Sequence, residues 1–167
     1  WITLGVVVVV AIVGIVVATS GGDDEPAAGD STSSTAGGLA DLPISQPVTI
    51  TGDPLPAYDS KANPDPGVGM TAPILDGKNF NGQQVKVDAA DGAYMLVFLA
   101  HWCPHCNAEV PKLLDWKNSG AVPPELRVIG VATAVSESAV NYPPAEWFSN
   151  KGWAWPVLVD EAQGDGA

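Results

Sequence analysis

A chain of 167 residues accommodates one compact domain plus accessory segments. Its formal net charge of −12 argues against a nucleic-acid partner, because neutralising phosphates demands clustered Lys and Arg. It carries neither a phosphate-cradling glycine loop nor a metalloprotease helix, and its two cysteines are Cys103 and Cys106.

Residues Trp1 to Ala18 are almost wholly apolar and uncharged. As a helix this run spans about 27 Å, close to the hydrocarbon core of about 30 Å. A helix apolar on every face suits lipid better than a soluble core. Residues 1–19 are therefore expected to form a transmembrane anchor. A cleaved signal peptide is the rival, since Val16-Val17-Ala18 suits a small-residue cleavage site, but the run is longer than a usual signal core. No cysteine follows it, so a lipid-modified N-terminus is not expected. The opening on Trp1, without Met or a basic flank, reads as a lost start. Beyond the run come Gly21-Gly22-Asp23-Asp24-Glu25, and the first basic residue is Lys61. Cytoplasmic flanks hold Lys and Arg, so this side reads as exported: a single-pass protein of the cell membrane with its domain outside the cytoplasm.

Ser20 to Gln46 is rich in Gly, Ser, Thr, Ala and Asp and reads as a disordered linker. Its roughly 27 residues would reach about 30 Å, and a plain spacer is the favoured role. Residues 47–167 are expected to form the domain. Val48-Thr49-Ile50 reads as a short first strand, and Asp53-Pro54-Leu55-Pro56 and Asn63-Pro64-Asp65-Pro66-Gly67 as turns. Phe80 to Gln83 is a turn before a strand at Gln84 to Val87, and Asp91-Gly92 makes another. Tyr94 to Ala100 is a near-continuous apolar run, the pattern of a central strand covered on both faces. A helix from Cys103 to near Gly120 carries Val110, Leu113, Leu114 and Trp116. Arg127 to Thr133 is predicted as a second buried strand, parallel to the first. Pro143 to Lys151 suits a helix with Trp147 and Phe148 facing inward, and Pro156 to Asp160 is a last strand-like piece. The class is α/β.

Strand, thiol pair, helix: this order sets both cysteines of Trp102-Cys103-Pro104-His105-Cys106 at a helix N-terminus. There the free N–H groups and the helix dipole favour a thiolate, the attacking species in thiol–disulfide exchange. A structural staple is the weaker reading, because so short a loop removes only about 2 kcal/mol of chain entropy. Metal is a third reading, with His101 and His105 beside the thiols, but structural zinc normally needs a second, distant pair. Within the redox reading Cys103, in the first turn, is the nucleophile and Cys106, one turn deeper, the resolving thiol. A protonated His105 would stabilise the thiolate, against the plain alternative of a solvated histidine. Pro104, lacking an N–H, suits the first helical turn. Trp102 and Pro104 are the candidate substrate-binding residues, whereas Trp153 and Trp155 read as packing.

The run from Leu96 to Pro111 resembles the thioredoxin superfamily, and most closely the membrane-anchored, extracytoplasmic TlpA-like thiol–disulfide oxidoreductases. Trp102 precedes the first cysteine, Glu109 follows the second by three, and Pro111 follows it by five. Gly69-Met70-Thr71-Ala72-Pro73 resembles the segment that opens such a domain, so the likeness runs from about residue 69 to 160. The resemblance implies a thioredoxin-like sheet with flanking helices, and gives Glu109 a part in proton transfer or partner choice. An ordinary first-turn acid is the alternative for that residue. It also implies a proline loop, a hairpin and a last helix beyond Ala167, so the chain reads as a fragment at both ends. Without the hairpin, Tyr94–Ala100 would become an open apolar edge.

The implied activity is thiol–disulfide exchange with exported proteins through the Cys103–Cys106 couple, with no cofactor and no metal. A redox partner protein at the membrane would reset the couple. The TlpA-like scaffold suggests a reductant, whereas the Pro104-His105 dipeptide resembles that of strongly oxidising periplasmic enzymes. Two other readings stand beside this one: an extracytoplasmic metal-binding or metal-delivery module using the same thiols, and a non-catalytic thioredoxin-like binding domain.

Overall fold

Two apolar stretches, each long enough for a six-residue strand, make the pair on which the sheet is built. In the computed structural model, which describes residues 38–162, they are β4 (Tyr94–Leu99) and β5 (Arg127–Ala132). They run parallel, in register from Tyr94 opposite Arg127 to Leu99 opposite Ala132. The helix α1 (Pro104–Asn118) connects them. After a second helix, α2 (Pro144–Asn150), the short β6 (Val157–Val159) adds to β5, again in parallel.

The earlier strands are antiparallel. β1 (Thr49–Thr51) and β3 (Gln84–Val87) both pair with β2 (Ile74–Lys78), which reaches β6 where Lys78 meets Val159. The sheet runs β1-β2-β6-β5-β4, with β3 also on β2. It is a mixed α/β sheet with flanking helices, as the resemblance implies.

Side chains alternate across a strand, which divides the core in two. Val97, Leu99, Ala132 and Val159 join Val110 of α1 and Trp147 and Phe148 of α2 on the helix side. Leu96, Ile129, Val131 and Leu158 meet Val85 and Val87 on the other. Phe148 touches Phe80, Trp147 and Trp153 with tilted or edge-on rings, favourable aromatic geometry. Trp153 lies over Gly130, where an added Cβ would stand 3.0 Å from its ring.

Three expectations are corrected. β2 was not anticipated, because Asp76 and Gly77 interrupt its apolar pattern. The strand read as covered on both faces is open at Phe98, 61% exposed, while its place at the sheet's end is the open apolar edge expected where no hairpin pairs with it: among the described strands β4 pairs with β5 alone. The stretch read as a linker is fastened to the domain over its last residues. Leu39–Asp41 forms a 3-10 turn, Leu42 packs on the helix-side core, and the Gln46 N–H donates to the Asp160 carbonyl at 3.1 Å. The expected anchor, 1–19, and the rest of the expected linker up to residue 37 lie outside the described residues. Among those described, no helix is long and apolar enough to cross a membrane.

Replacing Gly130 by Ala pushes a methyl group into the Trp153 ring. Urea unfolding should show a loss of about 1–3 kcal/mol, the usual cost of overpacking. An unchanged midpoint would mean that the ring does not rest on Gly130.

Candidate active site

The junction of β4 and α1 is tightly turned. The Cys103 N–H donates to the Ala100 carbonyl at 3.0 Å, and the Cys103 carbonyl accepts the Asn107 N–H at 3.0 Å. Cys103 is the N-cap, extended at φ −71° and ψ 122°, and Pro104 opens the helix. Proline costs nothing there, since its missing N–H would have had no intrahelical acceptor. The N–H groups that follow have none either, and they meet the Cys103 sulfur.

The two thiols, free in this structure, differ in consequence. Hydrogen bonds from the Cys106 backbone N–H, then the Cys106 thiol and the His105 backbone N–H, pull the Cys103 thiol below its ordinary pKa. Cys106 packs against the helix-side core, and burial pushes its thiol up, aided by its hydrogen bond and charge interaction with Cys103. The pair is thus ordered: Cys103 ionises first.

The other expected site residues are placed unevenly. Trp102 is 40% exposed, and its indole N–H donates to the Ala134 carbonyl at 2.7 Å. Pro104 is exposed beside Cys103. His105 is exposed and acts on Cys103 through its backbone N–H. The Glu109 carboxylate stands half exposed and pairs with Lys112 at 3.1 Å, with no hydrogen bond to either thiol. Pro111 lies within α1, as the resemblance implies.

Two residues carry more than the sequence reading gave them. His101, weighed only as a metal ligand, is 1% exposed. The Ser136 N–H donates to its Nε2 at 3.3 Å, so its Nδ1–H donates to the Val140 carbonyl, 2.8 Å away. Both ring nitrogens are engaged, so neither is free for a metal. The His101 carbonyl accepts the side-chain amides of Asn107, at 3.1 Å, and Asn141, at 3.0 Å. Asn107 was not singled out at all. Its partner Trp147 lies across the fold, and the only sequence signal is a polar residue in the first turn of an otherwise half-apolar helix.

Comparison with known proteins matches residues 68–164, more than half of the chain, to the AhpC/TSA family. No curated protein and no solved structure matches the chain.

The ordering of the thiols has a pH signature. Alkylation of Cys103 by iodoacetamide should follow a titration midpoint below about 8.5, the usual thiol value, while Cys106 reacts only at higher pH. With its folded pKa depressed, Cys103 stabilises the reduced protein above the ordinary thiol range. That contribution is lost as pH falls through the folded value. Equal labelling of the two sulfurs at every pH would contradict the assignment.

Proposed function

Since the chain belongs to the AhpC/TSA family of thioredoxin-like, thiol-based redox proteins, we propose that it exchanges disulfides with exported proteins through Cys103 and Cys106. The observation that carries this reading is the division between the thiols: one meets first-turn N–H groups, the other is turned into the core.

In the reducing direction the Cys103 thiolate attacks one sulfur of a partner disulfide. The other sulfur leaves as a thiolate and takes up a proton. The mixed disulfide has no charge on Cys103, which removes one of the influences that raise Cys106. Cys106 then gives up its proton and attacks the Cys103 sulfur, releasing the partner's second thiolate. The partner gains two electrons and the couple is left as a disulfide. The oxidising direction is the reverse. The exposed Trp102 and Pro104 flank the attacking sulfur and form the surface a partner meets.

The finer placement is TlpA-like, supported by Trp102, Glu109 and Pro111 at their spacings around the cysteines. In this reading residues 1–19 anchor the chain in the cell membrane with its domain outside the cytoplasm. The uncharged apolar run and the lack of Lys or Arg before Lys61 support it. A redox partner at the membrane resets the couple.

The family match favours a second substrate class, peroxides. There Cys103 takes one oxygen to become a sulfenic acid, releasing an alcohol or water, and Cys106 condenses with it to a disulfide and water.

Offering the protein a peptide disulfide and, separately, hydrogen peroxide decides between the two. We expect turnover of the disulfide, abolished in Cys103→Ser, with mixed disulfides accumulating in Cys106→Ser. Turnover of peroxide alone would replace the exchange reading, and full activity in both variants would end it. The placement has its own check: in cells, a membrane-impermeant maleimide should label Cys103 of the full chain, and the protein should sediment with membranes after an alkaline wash.

A further inference from the structure

Proline at position 111 has no amide hydrogen, so the Asn107 carbonyl, four residues earlier, lacks its intrahelical donor. Lys151, at the C-cap of α2, brings its ammonium to 3.5 Å from that oxygen. The Asn107 carboxamide is held as well. Its Nδ2 donates to the Cys103 carbonyl at 2.9 Å and to the His101 carbonyl at 3.1 Å, and its Oδ1 accepts the Trp147 indole N–H at 3.0 Å. Trp147 is 3% exposed in the helix-side core. At Asn107, then, α2 grips the first turn of α1 through backbone and side chain together.

We infer that Asn107 is a positioning residue for the thiol chemistry, holding Cys103 in the extended N-cap conformation that keeps its sulfur on the first-turn N–H groups. The inference rests on the exchange reading above and deepens it. The Cys103 carbonyl accepts two donors, the Asn107 N–H and the Asn107 Nδ2. Fixing a carbonyl fixes ψ of its own residue, here 122°, and so the placement of the Cys103 side chain relative to the helix that follows. A side chain that donates to two carbonyls while accepting an indole N–H needs both an amide nitrogen and an amide oxygen. An aspartate would keep the Trp147 bond, lose both donations and add a negative charge within one turn of the thiolate.

The test is made in the full chain with Cys106→Ser, so that a single thiol titrates, followed by thiolate absorbance against pH. Asn107→Leu should raise the Cys103 midpoint by about one unit, as hydrogen bonding to the charged form is lost. Asn107→Asp should raise it further, and Trp147→Phe, which removes only the indole donor, should raise it less. With both cysteines restored, Asn107→Leu should also lower the reduction potential, because the reduced form has lost stabilisation. A purely structural role would lower the melting temperature and leave the titration where it was. Unchanged midpoints in folded Asn107→Leu and Trp147→Phe overturn the inference. Should the leucine variant not fold, Trp147→Phe decides alone. Exchange by the parent protein is measured in parallel: it judges the redox reading, while the midpoints judge Asn107.

Discussion

The site depends on a mismatch between chain conformation and helix at one residue. Cys103 must stay extended, as the end of the path from β4, while Pro104 already turns as helix. That break leaves first-turn N–H groups with no carbonyl to bind, and the sulfur nearest to them supplies the acceptor. Backbone donors need no side-chain entropy to hold and cannot titrate away. The Cys103 thiolate is thus stabilised by the way the helix begins rather than by a neighbouring base.

Everything else keeps that beginning in place. The parallel β4–β5 pair sets where the strand ends, and the helix-side core sets how α1 lies, through Val110 packed in one cluster with Leu99 and the residues of α2. Cys106 is part of that same packing, so the feature that locates the helix also raises the pKa of the Cys106 thiol. The asymmetry between two chemically identical groups three residues apart follows from one lying at the rim of the core and the other at its edge with water. A stabilised thiolate favours the reduced couple and so an oxidising potential, as the Pro104-His105 dipeptide suggests. The burial of Cys106 works against that stabilisation, since a raised pKa makes its own thiolate costlier.

Much of this was legible in the sequence, for reasons tied to range. The thiol spacing, β3, the β4–β5 pair and α2 with its inward Trp147 and Phe148 are written in local pattern, and local pattern is what periodicity reads. β2 escaped because Asp76 and Gly77 break the apolar alternation, although Gly77 is buried, with no room for a side chain beside Val48. β4 looked covered on both faces because an apolar run does not report which of its side chains the rest of the fold reaches, and Phe98 is left exposed. The attached end of the supposed linker turns on one leucine, Leu42, in a stretch whose composition signals disorder. His101 and Asn107 were illegible as positioning groups because their partners, Val140 and Trp147, stand 39 and 40 positions further along the chain. Only the fold brings them together.

The way the charge on Cys103 is balanced bears on how such a site behaves in its surroundings. With 19 acidic and 7 basic residues, the chain could hardly spare a cation for the nucleophile. None is used: the groups that lower the Cys103 pKa are two backbone N–H groups and a neighbouring thiol. Lys151 is directed to the Asn107 carbonyl, and Lys112 is taken by Glu109. Charges exposed to water are weakened by dissolved salt over a distance of about 10 Å at moderate ionic strength, whereas donors in contact with the sulfur leave no room for screening. Activation by contact dipoles therefore depends on geometry and hardly at all on ionic conditions. Geometry is what the neutral network supplies: the His101 ring bonded to Ser136 and Val140, the Trp102 indole to Ala134, the Asn107 carboxamide to Trp147. Each bond joins the strand–helix junction to the segment that follows β5, so the conformation in which Cys103 meets its donors is held from outside the helix as well as from within it.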